Sequence, residues 1–130
     1  MRYLLDTNIF IAWMSDGKPE VTARFAKHVG EYGISSVVLF ELYFGAFNSG
    51  RVQENLNLLA GLQFPVLDFD EADARAAGQI RAHLKKIGKP IGSYDALIAG
   101  QALARGLIMV TNNISEFSRV PGLMVEDWTG

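Results

Sequence analysis

Short apolar runs alternate with longer stretches of helical spacing along the chain, and this alternation limits the fold more than any other feature of the sequence. Tyr3-Leu4-Leu5, Ile34-Ser35, Pro65-Val66-Leu67, Leu107 to Val110 and Leu123-Met124-Val125 are each too brief for a helix, so they read as short buried strands. Between the first three lie an apolar helix or turn from Asn8 to Met14, a helix opened by Pro19 and Glu20 that runs to about Val29, a buried helix from Val37 to about Asn48, and an amphipathic one from about Arg51 to Leu59. The polar run Ser15-Asp16-Gly17-Lys18-Pro19 separates the first two of these helices. Asp70 is placed to cap a long helix, with Asp73 in its first turn, where the helix dipole favours an anion. The buried face of that helix is expected at Ala72, Ala76, Ile80, Leu84 and Ile87, and Gly88 with Pro90 ends it. Ser93 is expected to cap the next helix, Tyr94 to Arg105, which Gly106 stops. Strands alternating with helices form a parallel sheet covered on both faces, and ligands of such folds gather at the carboxyl ends of the strands, where strand order reverses. Asp6 and Thr111 fall at two such ends.

The 130 residues suit one domain, residues 1–130, long enough to bury about two-thirds of the unfolded surface and too short for two independent cores. A chain that is 49% hydrophobic and 20% charged is expected to fold rather than stay disordered. The absence of cysteine excludes a disulfide framework and a thiolate zinc site, and fits a reducing compartment. The first residues lack the apolar core of an export signal, and no apolar run approaches the roughly 20 residues of a membrane span. A cytoplasmic protein without a membrane role is therefore expected. The formal net charge of -2 gives no overall basic excess, so any RNA contact must come from a local patch, a metal or a partner.

The position of the carboxylates carries the chemistry. Glu41 has Val37 and Val38 before it and Phe44 and Gly45 after it at helical spacing, which places it on a face of core-type residues with little access to water. Asp95 shares its face with Ile98, Ala99 and Ala102, and Asp6 ends the first strand. An isolated buried carboxylate costs several kcal/mol, so it takes up a proton or finds a cation. No Lys or Arg lies next to Glu41 or Asp95 in sequence, and acids from such separate segments suit a shared hard cation, Mg²⁺ or Mn²⁺. Such a site suits phosphodiester hydrolysis, because the metal activates a bound water and neutralises charge growing on a phosphoryl oxygen. Taken singly, each acid is equally well a helix cap or a hydrogen-bonded structural carboxylate, and Asp95 lies in a first helical turn where an acid is favourable anyway. Three together point to a site.

Leu4-Leu5-Asp6-Thr7-Asn8-Ile9, then Ile34-Ser35-Ser36 leading to Glu41-Leu42, then Lys89-Pro90-Ile91-Gly92-Ser93-Tyr94-Asp95, and finally Val110-Thr111-Asn112-Asn113 with Glu116-Phe117 and Val120-Pro121-Gly122-Leu123 resemble, in order and spacing, the VapC toxins. The resemblance implies a PIN-like three-layer α/β/α fold with a short central parallel sheet. It also implies a Mg²⁺-dependent endoribonuclease, with Mn²⁺ as a possible substitute, acting on tRNA or rRNA as the toxin of a VapB–VapC pair. A homodimer, and a hetero-oligomer with a VapB-type antitoxin whose tail blocks the site, are implied as partners. By position, Asp6 and Asp95 match the family's principal metal-binding acids, Glu41 its catalytic or metal-binding glutamate, and Thr111 and Asn113 its late strand-end motif. Asn113 stands where many PIN domains carry a further aspartate. Its carbonyl oxygen can coordinate but brings no charge, and Glu116 is placed to compensate. Asn8 is a further supporting residue. Ser93 replaces a frequent proline.

Arg81, Lys85, Lys86 and Lys89 form a basic cluster that reads either as an RNA-phosphate contact or as a solvated helix end with cations matched to the dipole. His28 and His83 are expected on the surface. Trp13, Phe40, Phe44, Phe47 and Trp128 are expected in the core or an interface. Two other functions compete: a phosphatase using Asp6 as a nucleophile, which the absence of a second aspartate two positions on disfavours, and a non-catalytic nucleic-acid-binding module with a degenerate site.

Overall fold

The computed structural model describes residues 1–15 and 18–129. Strands β1 (Tyr3–Leu5), β2 (Tyr32–Ser35), β3 (Val66–Leu67), β4 (Ile108–Val110) and β5 (Val125–Glu126) form a parallel sheet in the order β3-β2-β1-β4-β5. The helices are α1 (Thr7–Ser15), α2 (Pro19–Lys27), α3 (Ser36–Phe47), α4 (Val52–Ala60), α5 (Glu71–Lys86), α6 (Ser93–Ala104) and α7 (Ile114–Phe117). They cover the sheet on both faces, giving the three α/β/α layers. The turn expected at Ser15 to Pro19 falls partly on Asp16 and Gly17, which lie outside the described residues.

Strand order runs outward from β1 to β3 and then returns past β1 to β4. That reversal sits between β1 and β4, whose registers pair Leu4 with Met109 and Leu5 with Val110. One more ladder bond, from the Asp6 amide to the Val110 carbonyl at 2.9 Å, carries the pairing to the start of the site. Leu4, Leu5, Met109 and Val110 are fully buried with Ile9, Val38, Ile98 and Phe117 around them, each burial stabilising the fold by about 1.5–3 kcal/mol. The core thus pins the two strand ends that present Asp6 and Thr111.

Several expectations are corrected. The buried face of α5 is Asp73, Ala77, Ile80 and Leu84, whereas Ala72 and Ile87 are exposed and Ala76 is half-buried. The face turned because Asp73, only 1% exposed, is accommodated inside. Its carboxylate accepts from Arg105 Nη2 at 2.9 Å and Nε at 3.3 Å and closes a capping box with Asp70. Burial pushes the Asp73 carboxyl up, but Arg105 and the Asp70 amide outweigh it and hold the carboxyl below its ordinary range. Ser93 does not cap α6: the N-cap is Gly92, with no side-chain cap, and Ser93 is the first helical residue. The last strand starts two residues later than expected and ends one later, and helix α7 is an addition to the expected elements.

His28 is buried rather than on the surface. Its ring lies 4.7 Å from Tyr3 and stacks on Trp128 at 5.2 Å, and its Nδ1 meets Glu31 at 3.3 Å. His83 is exposed as expected. Trp128 is in the core and Trp13 half-buried, whereas Phe40, Phe44 and Phe47 stand out from α3 into solvent.

Helices α5 and α6 pack closely because Gly100 has no side chain. A Cβ there would lie 2.5 Å from the Ala77 nitrogen and 2.6 Å from its Cα, a backbone that cannot yield cheaply. Gly100→Ala is expected to lower stability by about 1–3 kcal/mol, read as a lower urea midpoint at unchanged slope. An unchanged midpoint would mean that the two helices are not held at this distance.

Candidate functional site

The site begins where β1 runs out. Burial of Tyr3, Leu4 and Leu5 fixes the strand end, and the next residue, Asp6, is 5% exposed. Both of its oxygens are engaged: Oδ1 accepts the Thr7 amide at 2.7 Å and Oδ2 accepts the Thr111 hydroxyl at 2.8 Å. Thr111 follows β4 and is itself buried, and its Oγ1 accepts the Asn113 amide at 2.9 Å. Burial raises the Asp6 pKa, the two hydrogen bonds partly counter it, and the charge of Glu116 raises it further.

Glu41 comes from α3, whose first turn is capped by the Ser35 hydroxyl accepting from the Val37 amide. The side chain reaches the same place through Thr7, whose hydroxyl donates to Oε1 at 3.2 Å. Burial raises its pKa, Thr7 counters it, and Asp6 raises it again. The expectation that Glu41 has little access to water is corrected. It is half-buried, because Phe40 and Phe44 beside it are 54% and 62% exposed. Apolar neighbours at helical spacing mark a core face only when something covers them.

Asp95 lies in the first turn of α6 and is half-buried. Burial is the largest cause that lifts its carboxyl to about 7, followed by the charge of Glu116, a hydrogen bond with Glu116, and the charges of Asp6 and Glu41. Glu116 moves the other way. The Gly92 amide, 2.8 Å from its Oε1, outweighs burial, with help from Asn113, Asp95 and the charge of Arg119. Asp95 and Glu116 thus titrate as a hydrogen-bonded pair, with the Asp95 carboxyl raised and the Glu116 carboxyl lowered.

Asp6, Glu41, Asp95 and Glu116 thus feel one another's charge although they come from four segments of the chain. None of the ion pairs among the described residues involves any of the four. The donors that hold them are neutral hydroxyls, amides and a carboxamide. Among the described residues no three of these side chains close into a ready-made metal cluster; Thr7 links Asp6 with Glu41, while Thr111 holds Asp6 and the Gly92 amide holds Glu116. The donor set, carboxylate oxygen in negative surplus, is nonetheless the chemistry that a hard divalent cation takes.

Of the other residues singled out from sequence, Asn113 is brought in through its Nδ2, which donates to Glu116 Oε2 at 2.5 Å. Its amide nitrogen, not its oxygen, faces the acids, so the fourth carboxylate of the group is Glu116. Asn8 is exposed and stands outside the hydrogen-bonded set. Arg81, Lys85, Lys86 and Lys89 are exposed at the end of α5 and the turn after it, joined to the acids by neither hydrogen bond nor ion pair. Thr7, Gly92 and Arg119 were missed. Only Thr7 had a signal, as a hydroxyl directly after an acid at a strand end. Beside Glu41 an apolar groove opens between α1, α3 and α4, lined by Met14, Leu42, Ala46, Leu58 and Leu59 among others.

Comparison with known proteins identifies the family. The family model described as PIN domain matches residues 3–123. The chain is 46% identical over 131 residues to the tRNA(fMet)-specific endonuclease VapC of Shigella flexneri, covering 99% of each. It superposes with a TM-score of 0.94 and 42% identity on a chain of the DNA-bound VapBC structure from Salmonella typhimurium, covering 98% of each. For VapBC-1 from nontypeable Haemophilus influenzae the TM-score is 0.90 at 32% identity, with 100% of each chain covered. PIN-domain nucleases generally depend on a divalent metal. With Asp6 and Thr111 at the ends of β1 and β4 and this likeness over nearly its whole length, the chain belongs to the PIN-domain family and, within it, to the VapC proteins.

Proposed function

We propose that residues 1–130 act as one PIN domain, a metal-dependent endoribonuclease that serves as the toxin of a VapBC-type pair. The observation that carries the reading is the meeting of four carboxylates with, among the described residues, no protein cation paired to them, where burial and then their mutual charge lift Asp95 to about 7. Asp6, Asp95 and Glu41, with Glu116, would hold Mg²⁺, for which Mn²⁺ would substitute. Such an ion lowers the pKa of a bound water and neutralises charge developing on a phosphoryl oxygen. Asp6 is the rigid member, held at both oxygens. Glu41 keeps Oε2 unengaged by Thr7, and burial raises its pKa in the direction that favours proton uptake from an attacking water. Thr111 and Asn113 orient Asp6 and Glu116.

The substrate class follows from the Shigella flexneri relative, whose name specifies tRNA(fMet), so a tRNA is the expected target. Arg81, Lys85, Lys86 and Lys89 would meet its phosphates and offset the repulsion of the acids. The solved relatives are VapBC complexes, and the apolar groove beside Glu41 would receive an apolar segment of a VapB-type antitoxin. The exposed ridge of Phe40, Tyr43, Phe44 and Phe47 on α3 is the kind of patch a homodimer covers. Among the described residues no helix is long and apolar enough to cross a membrane, and an RNA substrate implies the cytoplasm.

Two outcomes test the reading. Asp6→Asn, Asp95→Asn and Glu41→Gln are each expected to lower cleavage of tRNA by about 10²-fold or more, with chelator abolishing it and co-expressed antitoxin suppressing it. Unchanged cleavage in all three variants would reject the site.

The second outcome is a pH-dependent stability. The folded Asp95 pKa of about 7 exceeds its ordinary 3.8, so between those values the folded protein binds more protons than the unfolded chain. Stability without metal therefore falls as pH rises through this window, and the cost is complete above about 7. Asp95→Asn removes the cost, so its gain in Tm over the parent is expected to be large at about pH 8 and small at about pH 4, with Mg²⁺ narrowing it by stabilising the parent. A variant less stable than the parent at the higher pH would contradict the assigned environment.

A further inference from the structure

The segment that leads into α6 is gripped by two residues spaced three apart. Helix α5 ends in a left-handed Gly88 (φ 73°), with the Lys89 amide bonded back to the Leu84 carbonyl at 2.9 Å, so the chain leaves the helix sharply and arrives at Pro90. From there to the start of α6 the chain runs against α7 and the turn after it. Glu116 Oε1 accepts the Gly92 amide at 2.8 Å, and Arg119 Nη1 donates to the Pro90 carbonyl at 3.0 Å. The fit is close: a Cβ on Gly92 would lie 3.2 Å from Asp95 Oδ2 and 3.8 Å from Glu116 Oε1.

The α6 entry needs such a grip. Its N-cap, Gly92, offers no side-chain cap, and Asp95 stands three residues later facing the charges of Glu116, Asp6 and Glu41. Repulsion among these acids tends to open the turn away from β1 and β4. Arg119 is exposed, makes no ion pair among the described residues, and donates to the Pro90 carbonyl, while its charge also acts on Glu116. It opposes the opening without touching Asp95, and so leaves the acids uncompensated for a metal.

We propose that Arg119 is a positioning residue of the nuclease site, holding the Pro90–Gly92 segment so that the entry of α6 keeps Asp95 beside Glu116. This rests on the nuclease reading given above. It differs from a direct RNA contact, which is the other use of an exposed arginine near such a site.

Arg119→Ala and Arg119→Lys test it in the full chain, by RNA cleavage, by calorimetric titration with MgCl₂, and by hydrogen exchange of the Gly92 amide in the metal-free protein. For Arg119→Ala the expected result is a loss of about 10-fold or more in kcat and in Mg²⁺ affinity, with KM nearly unchanged and the Gly92 amide exchanging faster. Arg119→Lys, which keeps the charge near Glu116, should recover part of each loss. A raised KM with kcat, Mg²⁺ affinity and Gly92 exchange at parent values would overturn the proposal and make Arg119 a phosphate contact. Should the parent protein cleave no RNA while Arg119→Ala still weakens Mg²⁺ binding and frees Gly92, the positioning role stands and the nuclease reading fails.

Discussion

Like charges at close quarters are the condition to which the rest of this structure answers. The reversal of strand order between β1 and β4 brings Asp6 and Thr111 side by side, and the helices that follow β2 and precede β4 deliver Glu41 and Asp95 to the same place. Carboxylates gathered in a partly desolvated space repel one another, and the raised pKa values of Asp6, Glu41 and Asp95 express that repulsion together with burial. The packed ends of β1 and β4, with Leu5 and Val110 fully buried, provide the rigidity that keeps the group from relaxing apart.

A second buried acid shows that the arrangement is specific to the site. Asp73 is as little exposed to solvent as Asp6, yet its carboxyl is held below the ordinary range because Arg105 meets it with two hydrogen bonds. That acid is compensated within the protein and ties α5 to the end of α6. At the site the donors are Thr7, Thr111, Asn113 and the Gly92 amide, which orient oxygens without cancelling their charge. One side-chain type therefore serves two purposes, separated by whether a guanidinium lies against it. The negative surplus left at the site is what a divalent ion would relieve, so the same feature that weakens the metal-free fold favours binding.

The alternation of strand and helix was legible in the chain because each strand is brief and apolar and each long helix is bounded by capping or breaking residues. Asp6, Glu41 and Asp95 were legible as charges in apolar company. What stayed hidden depends on contacts distant in sequence. The inward turn of Asp73 requires Arg105, 32 residues away, and the burial of His28 requires the aromatic face of Trp128 from the far end of the chain. The partial exposure of Glu41 was misjudged because apolar spacing cannot distinguish a covered helix face from the solvent-facing ridge of Phe40 and Phe44. Glu116 was placed among the supporting residues, but its hold on Gly92 joins positions 24 apart and leaves no pattern in the sequence.

The claim that a divalent ion relieves this crowding is tested most directly by following the Asp95 carboxyl carbon by NMR through a pH titration, with and without Mg²⁺. Without metal, the midpoint is expected at about 7. With saturating Mg²⁺ it is expected to fall well below that, because a ligating carboxylate must be ionised and metal binding expels the proton. An ordinary aspartate midpoint near 3.8 in both conditions would contradict the account, for it would mean that neither the repulsion nor the ion is present at Asp95.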